Sequence, residues 1–391
     1  MNYRNANSVL PKELVEMIQK YVQGECIYIP VKDKYATEFV TDYKTELEKR
    51  DALIYKNYLE GISNKRLAEI YNLSDSSIRR VIIKQRKRYR IMNEKIKKIL
   101  FNWDLENSEI KQIYDTTWQV GDGYVLKVYQ NQSMLKSNLE VLSILDEMNI
   151  PVGKIISTYD NQQYISDDGE FFFLTKKLSG NNIVKIGNDL KIASMMGEII
   201  AELHMAFKKC EGVEEFLNNS LLDEMNGWVK ENFENNSWDY ISKEEYEEIV
   251  SQLAKVYDKL PVQLIHRDVH FGNFLFKAGE FSGYIDFDLS QKNIRIFDIC
   301  YFLLGLLSEP EKLEISKENW FIFVEKVVAG YEKKLELSKI EKKAIPYVME
   351  CIELLFVSYF KSIDDVCRAK NAYKIFEYIR EMENKILKSI N

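Results

Sequence analysis

The sequence predicts an α+β protein in which a basic, all-α module precedes a larger module of mixed strands and helices. Residues 1–100 hold 21 Lys and Arg against 13 Asp and Glu, a net charge of +8, whereas the rest of the chain carries −15. After Phe101 the helical spacing of apolar residues gives way to short runs typical of strands. A chain of 391 residues is long enough for two or three domains.

The composition argues against several classes of protein. Hydrophobic residues make up 46% of the chain, enough for ordinary cores. The five cysteines are widely spaced without a CxxC pair, which argues against a zinc site or a disulfide framework. The N-terminus lacks the apolar segment of a signal peptide, and runs such as Cys300–Leu307 fall short of the ~20 residues that span a bilayer. We therefore expect a cytoplasmic protein with no membrane partner.

The stretch Asn64–Arg90 has the pattern of two short helices joined by a tight turn. It holds nine Lys and Arg against two acids. Apolar residues recur at helical spacing on both sides of a turn at 72–74, and Ser74 or Asp75 can cap the second helix. The apolar positions are Leu67, Ile70, Tyr71, Ile78, Val81 and Ile82.

This arrangement predicts a helix-turn-helix motif, in which the second helix enters the major groove of DNA. A preceding helix, roughly Leu47–Leu59 and ended by Gly61, would brace the pair. DNA binding through residues 64–90 is the prediction, and a solvated basic hairpin of helices is the alternative. The side chains expected to reach bases and phosphates are Ser76, Ser77, Arg79, Arg80 and Lys84.

Two segments of the first module, VQGECIYIPVKDKYA and GISNKRLAEIYNLSDSSIRRVI, resemble the Mor-like transcriptional activators and the small Mor-related bacterial regulators. The resemblance covers about Pro11–Arg90. It implies that a short strand, Ile27–Ile29, pairs with its mate, so that the N-terminal domain forms a homodimer. We expect this domain to occupy residues 1–90, with a helical linker over 91–103.

Three short strands open the second module, with a hairpin turn at Gly121–Gly123. Their expected bounds are Ile110–Tyr114, Thr117–Val120 and Tyr124–Tyr129. Lys127 lies in the middle of the third strand. It is either a lysine that grips nucleotide phosphates or an edge-strand lysine that discourages aggregation.

A helix over Gln132–Asn149 and two more strands, in NIPVGKII and FFFLTKKLSG, complete this part of the pattern. The linker Lys176–Gly180, with Lys176 and Leu178, would offer backbone groups to an adenine ring. A helix-rich region that includes Met195–Phe207 follows.

The segments LIHRDVHFGNFLF (Leu264–Phe276) and GYIDFDLS (Gly283–Ser290) carry the expected chemistry. A strand lysine, then HRDxxxxN, then an Asp at the end of a strand is the set used for ATP phosphotransfer. Asp268 would orient and deprotonate an acceptor hydroxyl. Asn273 and Asp286 would supply the oxygen ligands that Mg²⁺ prefers, and Lys127 would neutralise the phosphates.

The second module resembles the aminoglycoside phosphotransferase and choline kinase-like family, in which the loop usually reads HGDLHPGN. The resemblance implies a bilobal protein-kinase-like fold, with one lobe over 104–180 and the other over 181–391, and ATP and Mg²⁺ as cofactors. Residue by residue, it implies that Asp268 is the catalytic base, Asn273 and Asp286 are metal ligands and Lys127 is the phosphate lysine. It also implies that Asp298 is a buried brace of the loop and that His204, His266 and His270 are structural.

The chain departs from the family pattern at several positions. Arg267 replaces the usual Gly, and Asp288 either assists the metal or faces solvent. The first hairpin has Asp115, Thr116 and Thr117 in place of a glycine-rich loop. In the family a Glu on the helix pairs with the strand lysine, but Asn138 stands at that position here. The acid expected to pair with Lys127 is therefore Glu140, two residues further along the helix.

The predicted function is an ATP-dependent phosphotransferase that acts on a hydroxyl of a small molecule, such as an aminoglycoside-like compound, an amino alcohol or a sugar. The acidic stretch Asp223–Glu248, with Trp228, Trp238 and Tyr246, would suit a cationic or polyhydroxyl ligand; a solvated helix face is the alternative. The helical tail Asn319–Asn391 is expected to form core and cleft wall. The competing functions are a transcription regulator whose kinase-like domain senses a ligand or nucleotide, and a protein kinase suggested by Arg267.

Overall fold

The structure, a computed structural model, divides into two compact units, Met1–Lys95 and Ile96–Asn391. It describes residues 15, 47 and 50–390, apart from 187–189, 211, 214–218 and 309 and the side chains of 311 and 312. The predicted strand Ile27–Ile29, and with it the predicted dimer contact, lies outside the described residues.

The described part of the first unit is helical and surrounds a small apolar core. Its helices are α1 over residues 50–59, α2 over Asn64–Ile70 and α3 over Asp75–Leu100. The buried side chains of this core are Ile54, Leu67, Ile78, Val81 and Ile82. The predicted apolar stripe on the second helix of the pair is therefore confirmed.

Short polar side chains and two left-handed residues set the ends of these helices. Ser63 caps α2, and Ser74 accepts the backbone N–H of Ser77 at 3.1 Å at the start of α3. Ser74 is therefore the cap of the two that the sequence allowed. Asn72, between α2 and α3, has φ +50°, and Gly61 has φ +92° just after α1, where only glycine adopts that conformation easily.

The second unit begins with a six-stranded antiparallel sheet. Its order is β1-β2-β3-β6-β4, with β5 also paired to β6. The strands are β1 Ile110–Tyr114, β2 Thr117–Val120, β3 Tyr124–Tyr129, β4 Ile155–Ile156, β5 Ile165–Asp167 and β6 Glu170–Lys176. The first three have the predicted bounds. Lys127 lies on an interior strand opposite Phe173 of β6, so the edge-strand alternative is wrong.

Two small antiparallel pairs hold the predicted catalytic loop. They are β7 Val262–Ile265 with β10 Gln291–Ile294, and β8 Phe274–Lys277 with β9 Glu280–Tyr284. The expected position of Asp286 at the end of a strand is corrected here. The strand β9 ends at Tyr284, so Asp286 lies in the following loop, and β10 separates that loop from the next helix.

Helices make up most of the rest of this unit. They are α4 Gln132–Glu147, α5 Leu190–Phe207, α6 Leu221–Glu224, α7 Lys230–Asn235, α8 Lys243–Tyr257, α9 Ile296–Ser308, α10 Pro310–Leu313, α11 Lys317–Glu332, α12 Lys339–Ser362 and α13 Val366–Ile390. A π-helical turn, Met225–Val229, joins α6 to α7. Val324, Val327, Val328 and Tyr331 are buried, as expected for a tail that forms core. Among the helices of the described ranges, none has an apolar stretch long enough to cross a bilayer.

Candidate active site

A fully buried carboxylate fixes the loop between β7 and β8. The backbone N–H groups of His266 and Arg267 each donate to Asp298, at 2.8 Å. Nε2 of His204 lies 3.0 Å from the same carboxylate, and Nδ1 of His204 lies 2.9 Å from the Tyr331 hydroxyl. Because α5, α9 and α11 all contribute to this network, the loop is tied to the helical core. These contacts agree with the bracing role expected for Asp298 and the structural role expected for His204.

The carboxylate of Asp268 is held inside this loop. Oδ1 accepts a hydrogen bond from the Tyr301 hydroxyl at 2.7 Å, and Oδ2 accepts one from Nδ2 of Asn273 at 2.8 Å. Nε2 of His270 lies 3.3 Å from Oδ2. The carboxylate therefore has a fixed orientation.

The neighbours of Asp268 keep it ionised. Burial raises the pKa of this carboxyl, but the hydrogen bond and charge of His270 and the hydrogen bond from Tyr301 outweigh burial and lower the pKa to about 2. Nδ1 of His270 accepts the backbone N–H of Gly272 at 3.0 Å, so the ring proton lies on Nε2, the nitrogen that faces Asp268. His270, expected to be scaffolding, thus contacts the candidate base directly.

His266, in contrast, is part of the core beneath the loop. Its ring is fully buried, and Nε2 lies 3.3 Å from the carbonyl of Ile285. Burial lowers the pKa of this imidazole, so the ring is neutral near pH 7. Its placement agrees with the expected structural role.

Asn273 ends a short 3-10 turn, Phe271–Asn273, and its amide nitrogen donates to both the side chain and the backbone carbonyl of Asp268. The amide oxygen is therefore turned away from Asp268. Asn182 braces the same turn, because its Nδ2 lies 2.7 Å from the carbonyl of Gly272. The turn orients the amide of Asn273 towards the cleft.

The ammonium of Lys127 meets two carboxylates from the loop after β9. Nζ lies 2.9 Å from Oδ1 of Asp286 and 2.6 Å from Oδ2 of Asp288. Asp286 has φ +63°, a left-handed conformation that turns the chain sharply at this residue. Asp288 is itself held, since Oδ1 accepts hydrogen bonds from the Tyr129 hydroxyl and from Nδ2 of Asn138.

The predicted pairing of Lys127 with Glu140 is wrong. Glu140 is exposed, whereas Asn138 is 6% exposed and lines the cavity next to Lys127. Two positions along a helix rotate a side chain by roughly 200°, so the two residues face opposite ways. The acids beside Lys127 come from the loop after β9 instead.

A cavity of about 710 Å³ brings together the residues predicted for phosphotransfer, with the exception of Glu140. The predicted residues that line it are Lys127, Lys176, Leu178, Asp268, Asn273 and Asp286. The backbone N–H of Lys176 already donates to the carbonyl of Lys154, at 2.8 Å. Within the described ranges, no group of three or more His, Cys, Asp and Glu side chains is arranged to hold a metal ion.

Arg267, the residue that departs from the family loop, has φ +67° and points away from the cavity towards a buried acid. Its guanidinium donates to Glu224 of α6 at 2.7 and 2.9 Å and to the side-chain oxygen of Gln291 at 2.5 Å. The arginine therefore connects the loop with α6 and β10.

The side chains of the acidic and aromatic stretch 223–248 lie in the core or on the outer surface rather than in the cavity. Tyr246 is buried and donates to the carbonyl of Met225, and Trp238 stacks on Phe233 with ring centroids 5.9 Å apart. None of residues 223–248, all of which the structure describes, lines the cavity. The aromatic side chains stabilise this region rather than offering open platforms in the cavity.

In the first unit, the side chains predicted to contact DNA lie on the side of α3 away from its buried stripe. Ser76, Arg79, Arg80 and Lys84 are exposed. Arg79 forms an ion pair with Asp75 at 2.7 Å, and Lys84 lies 3.5 Å from Asp51.

Comparisons with known proteins agree with the architecture of the second unit. Three solved structures with a similar fold are an aminoglycoside phosphotransferase from Alicyclobacillus acidocaldarius, an amicoumacin kinase in complex with AMP-PNP, Ca²⁺ and Ami, and a microcompartment-associated aminopropanol kinase. In that order, the TM-scores are 0.56, 0.55 and 0.54, and the sequence identities are 13%, 17% and 15%. The matched regions cover 75%, 71% and 74% of this chain. They cover 94%, 88% and 97% of the three other chains. At these identities the likeness concerns the fold alone.

Two curated proteins match shorter stretches. An uncharacterized protein of Bacillus subtilis (strain 168), YraL, is 33% identical over 84 residues, which are 21% of this chain and 97% of that protein. The homoserine kinase of Phenylobacterium zucineum (strain HLK1) is 34% identical over 98 residues, which are 25% of this chain and 28% of the kinase. The family model for the phosphotransferase enzyme family matches residues 108–332, more than half of the sequence. The chain therefore belongs to the phosphotransferase enzyme family.

Proposed function

We propose that the protein transfers the terminal phosphoryl group of ATP to a hydroxyl of a small molecule. The observation that carries this proposal is the state of Asp268. Its ionised carboxylate lies in the cavity, and one oxygen already accepts a hydrogen bond from a hydroxyl, that of Tyr301, at 2.7 Å. A carboxylate can accept further hydrogen bonds, so an acceptor hydroxyl that enters the cavity beside Tyr301 would be oriented by Asp268.

The proposed step needs a base that takes the proton of the acceptor hydroxyl and positive charge that stabilises the phosphates. The acceptor oxygen attacks the terminal phosphorus, the bond from that phosphorus to the bridging oxygen breaks, ADP leaves, and the acceptor proton passes to Asp268. Lys127 would lie against the phosphates. The linker residues Lys176 and Leu178 would contact the base of the nucleotide.

The donor set beside Asp268 fits Mg²⁺. This ion commonly uses one or two protein oxygens and takes its other ligands from water and phosphates. The carboxylate of Asp286 and the amide oxygen of Asn273 are two such donors on one side of the cavity. When bound, Mg²⁺ would supply positive charge to the phosphate oxygens. Asp286 and Asn273 would hold it there.

The acceptor is proposed to be an aminoglycoside-like compound, an amino alcohol or a sugar. The solved structures with a similar fold include kinases whose names state an aminopropanol, amicoumacin or aminoglycoside specificity, and a matching curated protein is a homoserine kinase. All of these names are consistent with an alcohol group as acceptor.

A screen of ATP consumption against aminoglycosides, amino alcohols, sugars and nucleosides tests the proposal. Asp268→Asn keeps the shape of the side chain but removes the base, so we expect turnover to fall by about 10²-fold or more while ATP affinity stays near that of wild type. Asp258→Asn, an exposed position after α8, is the matched control. Equal turnover by wild type and Asp268→Asn would contradict the proposal. ATP binding by the wild-type protein without turnover of any acceptor would favour the alternative, in which the kinase-like unit senses a ligand or nucleotide for a transcription regulator.

We also propose that the first unit binds DNA. The observation that favours this activity is that α3 begins at a tight turn and exposes polar and basic side chains from its first turn onwards, among them Ser76, Arg80 and Lys84, whereas Ser77 is half-buried. Homodimer formation through the N-terminal domain is part of the same proposal.

A further inference from the structure

The lysine that faces the cavity from β3 needs a carboxylate to hold it. In protein kinases a strand lysine that binds phosphates is oriented by an acid on the helix that follows. Here α4 follows β3, and its polar side chain in the cavity is Asn138. An amide does not carry the negative charge that an ammonium partner needs.

The loop after β9 supplies that charge. Oδ2 of Asp288 lies 2.6 Å from Nζ of Lys127, closer than Oδ1 of Asp286 at 2.9 Å. Asp286 lines the cavity, whereas Asp288, which the structure also describes, does not. Of the two acids, Asp286 is therefore the one that belongs to the wall of the cavity, the space that phosphates and metal would occupy.

Neutral donors fix Asp288 from two directions. Tyr129 and Asn138, each 6% exposed, both donate to Oδ1, the latter at 3.1 Å. Tyr129 belongs to β3, two residues beyond Lys127, and Asn138 belongs to α4. With Oδ1 held by these two groups, Oδ2 is directed at the ammonium.

We propose that Asp288 is the positioning residue for Lys127, and that Asn138 and Tyr129 orient its carboxylate. The position on α4 that would carry an acid instead carries a donor, and the acid has moved to the loop after β9. The proposal rests on the proposed function, in which Lys127 lies against the nucleotide phosphates. It assigns the metal to Asp286, the acid of the two that lines the cavity.

The test measures ATP affinity by calorimetry, with and without Mg²⁺, and the steady-state rate as a function of Mg²⁺ concentration. For Asp288→Asn we expect kcat to fall by about 10–100-fold, the usual effect of removing a residue that orients an active-site group. The Mg²⁺ concentration that gives half the maximal rate should stay at the wild-type value. Asp286→Asn should raise that concentration. A shift of the Mg²⁺ requirement in Asp288→Asn similar to that in Asp286→Asn would overturn the proposal, because it would make Asp288 a metal ligand.

A rescue variant gives the sharper test. In Asn138→Glu/Asp288→Asn the acid returns to α4, next to Lys127, and we expect at least a tenfold recovery of kcat over Asp288→Asn alone. A double variant no more active than Asp288→Asn would count against the proposal. Glu140→Gln probes the rival acid of the same helix, and a loss there equal to that of Asp288→Asn would overturn it. Glu147→Gln, at the exposed end of α4, is the neutral control.

Tyr129→Phe covers the case in which Asp288→Asn fails to fold. It removes one hydrogen bond to Asp288 and keeps the ring, so kcat should fall below the wild-type value, with no change in the Mg²⁺ requirement. Wild-type kcat in Tyr129→Phe would contradict the proposal. If wild type binds ATP but phosphorylates none of the acceptors, the proposed function fails by itself. ATP affinity without Mg²⁺ then still reports on Asp288, because loss of an ordered Lys127 should weaken it, and an unchanged affinity would overturn the inference.

Discussion

Arg267 shows how a single side chain can tie a loop to a distant helix. Its backbone lies in the left-handed region, and its guanidinium reaches a buried carboxylate, Glu224, that belongs to a different part of the chain. A glycine at this position would adopt the same backbone conformation at less cost but would leave Glu224 buried without its partner. The arginine is therefore explained by Glu224, and it need not indicate a protein kinase.

Removal of this arginine should destabilise the fold. Arg267→Met leaves a buried negative charge without a partner, so we expect the free energy of unfolding to fall by about 3–5 kcal/mol in urea titrations. Arg267→Met/Glu224→Leu removes both charges and should recover most of that loss. A double variant as unstable as the single one would show that the pair does not act through charge.

At the residue scale, the sequence predicted which side chains gather in the cavity but not their partners. Lys127, Asp268, Asn273 and Asp286 have fixed positions in a sequence pattern that the chemistry requires, and all four line the cavity. Tyr301 contacts Asp268 from a helix 33 residues further along the chain, and no local pattern marks such a contact. The rotation per residue of a helix places Asn138 and Glu140 on opposite sides of α4, and burial shows which of them faces Lys127.

At the scale of elements, the helices α5 and α11 approach each other through two glycines. A methyl group on Gly197 would overlap the carbonyl oxygen of Val327, and one on Gly330 would overlap that of Ser194. This close approach brings His204 on α5 within 2.9 Å of Tyr331 on α11, and His204 in turn contacts Asp298 beneath the catalytic loop. The spacing of two helices thus supports the position of the loop.

Gly197→Ala should therefore destabilise the second unit, by about 1–3 kcal/mol or more, because the backbone atoms of α11 have to move. Gly305→Ala is the matched control: Gly305 also lies inside a helix, α9, but a methyl group there meets no atom within 4 Å among the described residues. We expect that change to stabilise the protein by about 0.5–1 kcal/mol. Thermal unfolding of both variants measures the difference, and equal effects would show that helix contact is not the cause.

Element bounds were predictable where turns and alternation are strong. The strands β1, β2 and β3 lie where the pattern places them, whereas β5 was missed. Asp168 and Gly169 form the two-residue turn between β5 and β6, with φ of +49° and +76°, and an Asp-Gly pair is a recognisable hairpin signal. That turn could have revealed β5, but the strand β10, QKNI, was also missed and has no such signal. It pairs with β7, and its four residues show no apolar alternation of their own.

At the scale of the whole molecule, the chain divides in charge as well as in structure. The division between the two compact units falls at Lys95 and Ile96, and the family match begins at residue 108. The net charge changes sign near the same place, from +8 over residues 1–100 to −15 over the rest of the chain. A basic first unit followed by an acidic phosphotransferase unit is the pattern expected when one polypeptide binds DNA and also acts on a small molecule.

The DNA-binding prediction is best tested with the full-length protein and a labelled duplex at increasing salt. Each lysine or arginine that contacts a phosphate adds about one unit to the slope of log affinity against log salt, so Arg80→Ala and Lys84→Ala should each weaken binding and lower that slope by about one unit. Arg79 is a poorer probe, because Asp75 pairs with it at 2.7 Å, a closer contact than the 3.5 Å between Lys84 and Asp51. Lys374→Ala, an exposed lysine on α13, is the control for net charge, and Asp268→Asn should bind DNA as wild type does. If the wild-type protein retards no duplex at about 50 mM salt, where phosphate contacts are strongest, the first unit does not bind DNA.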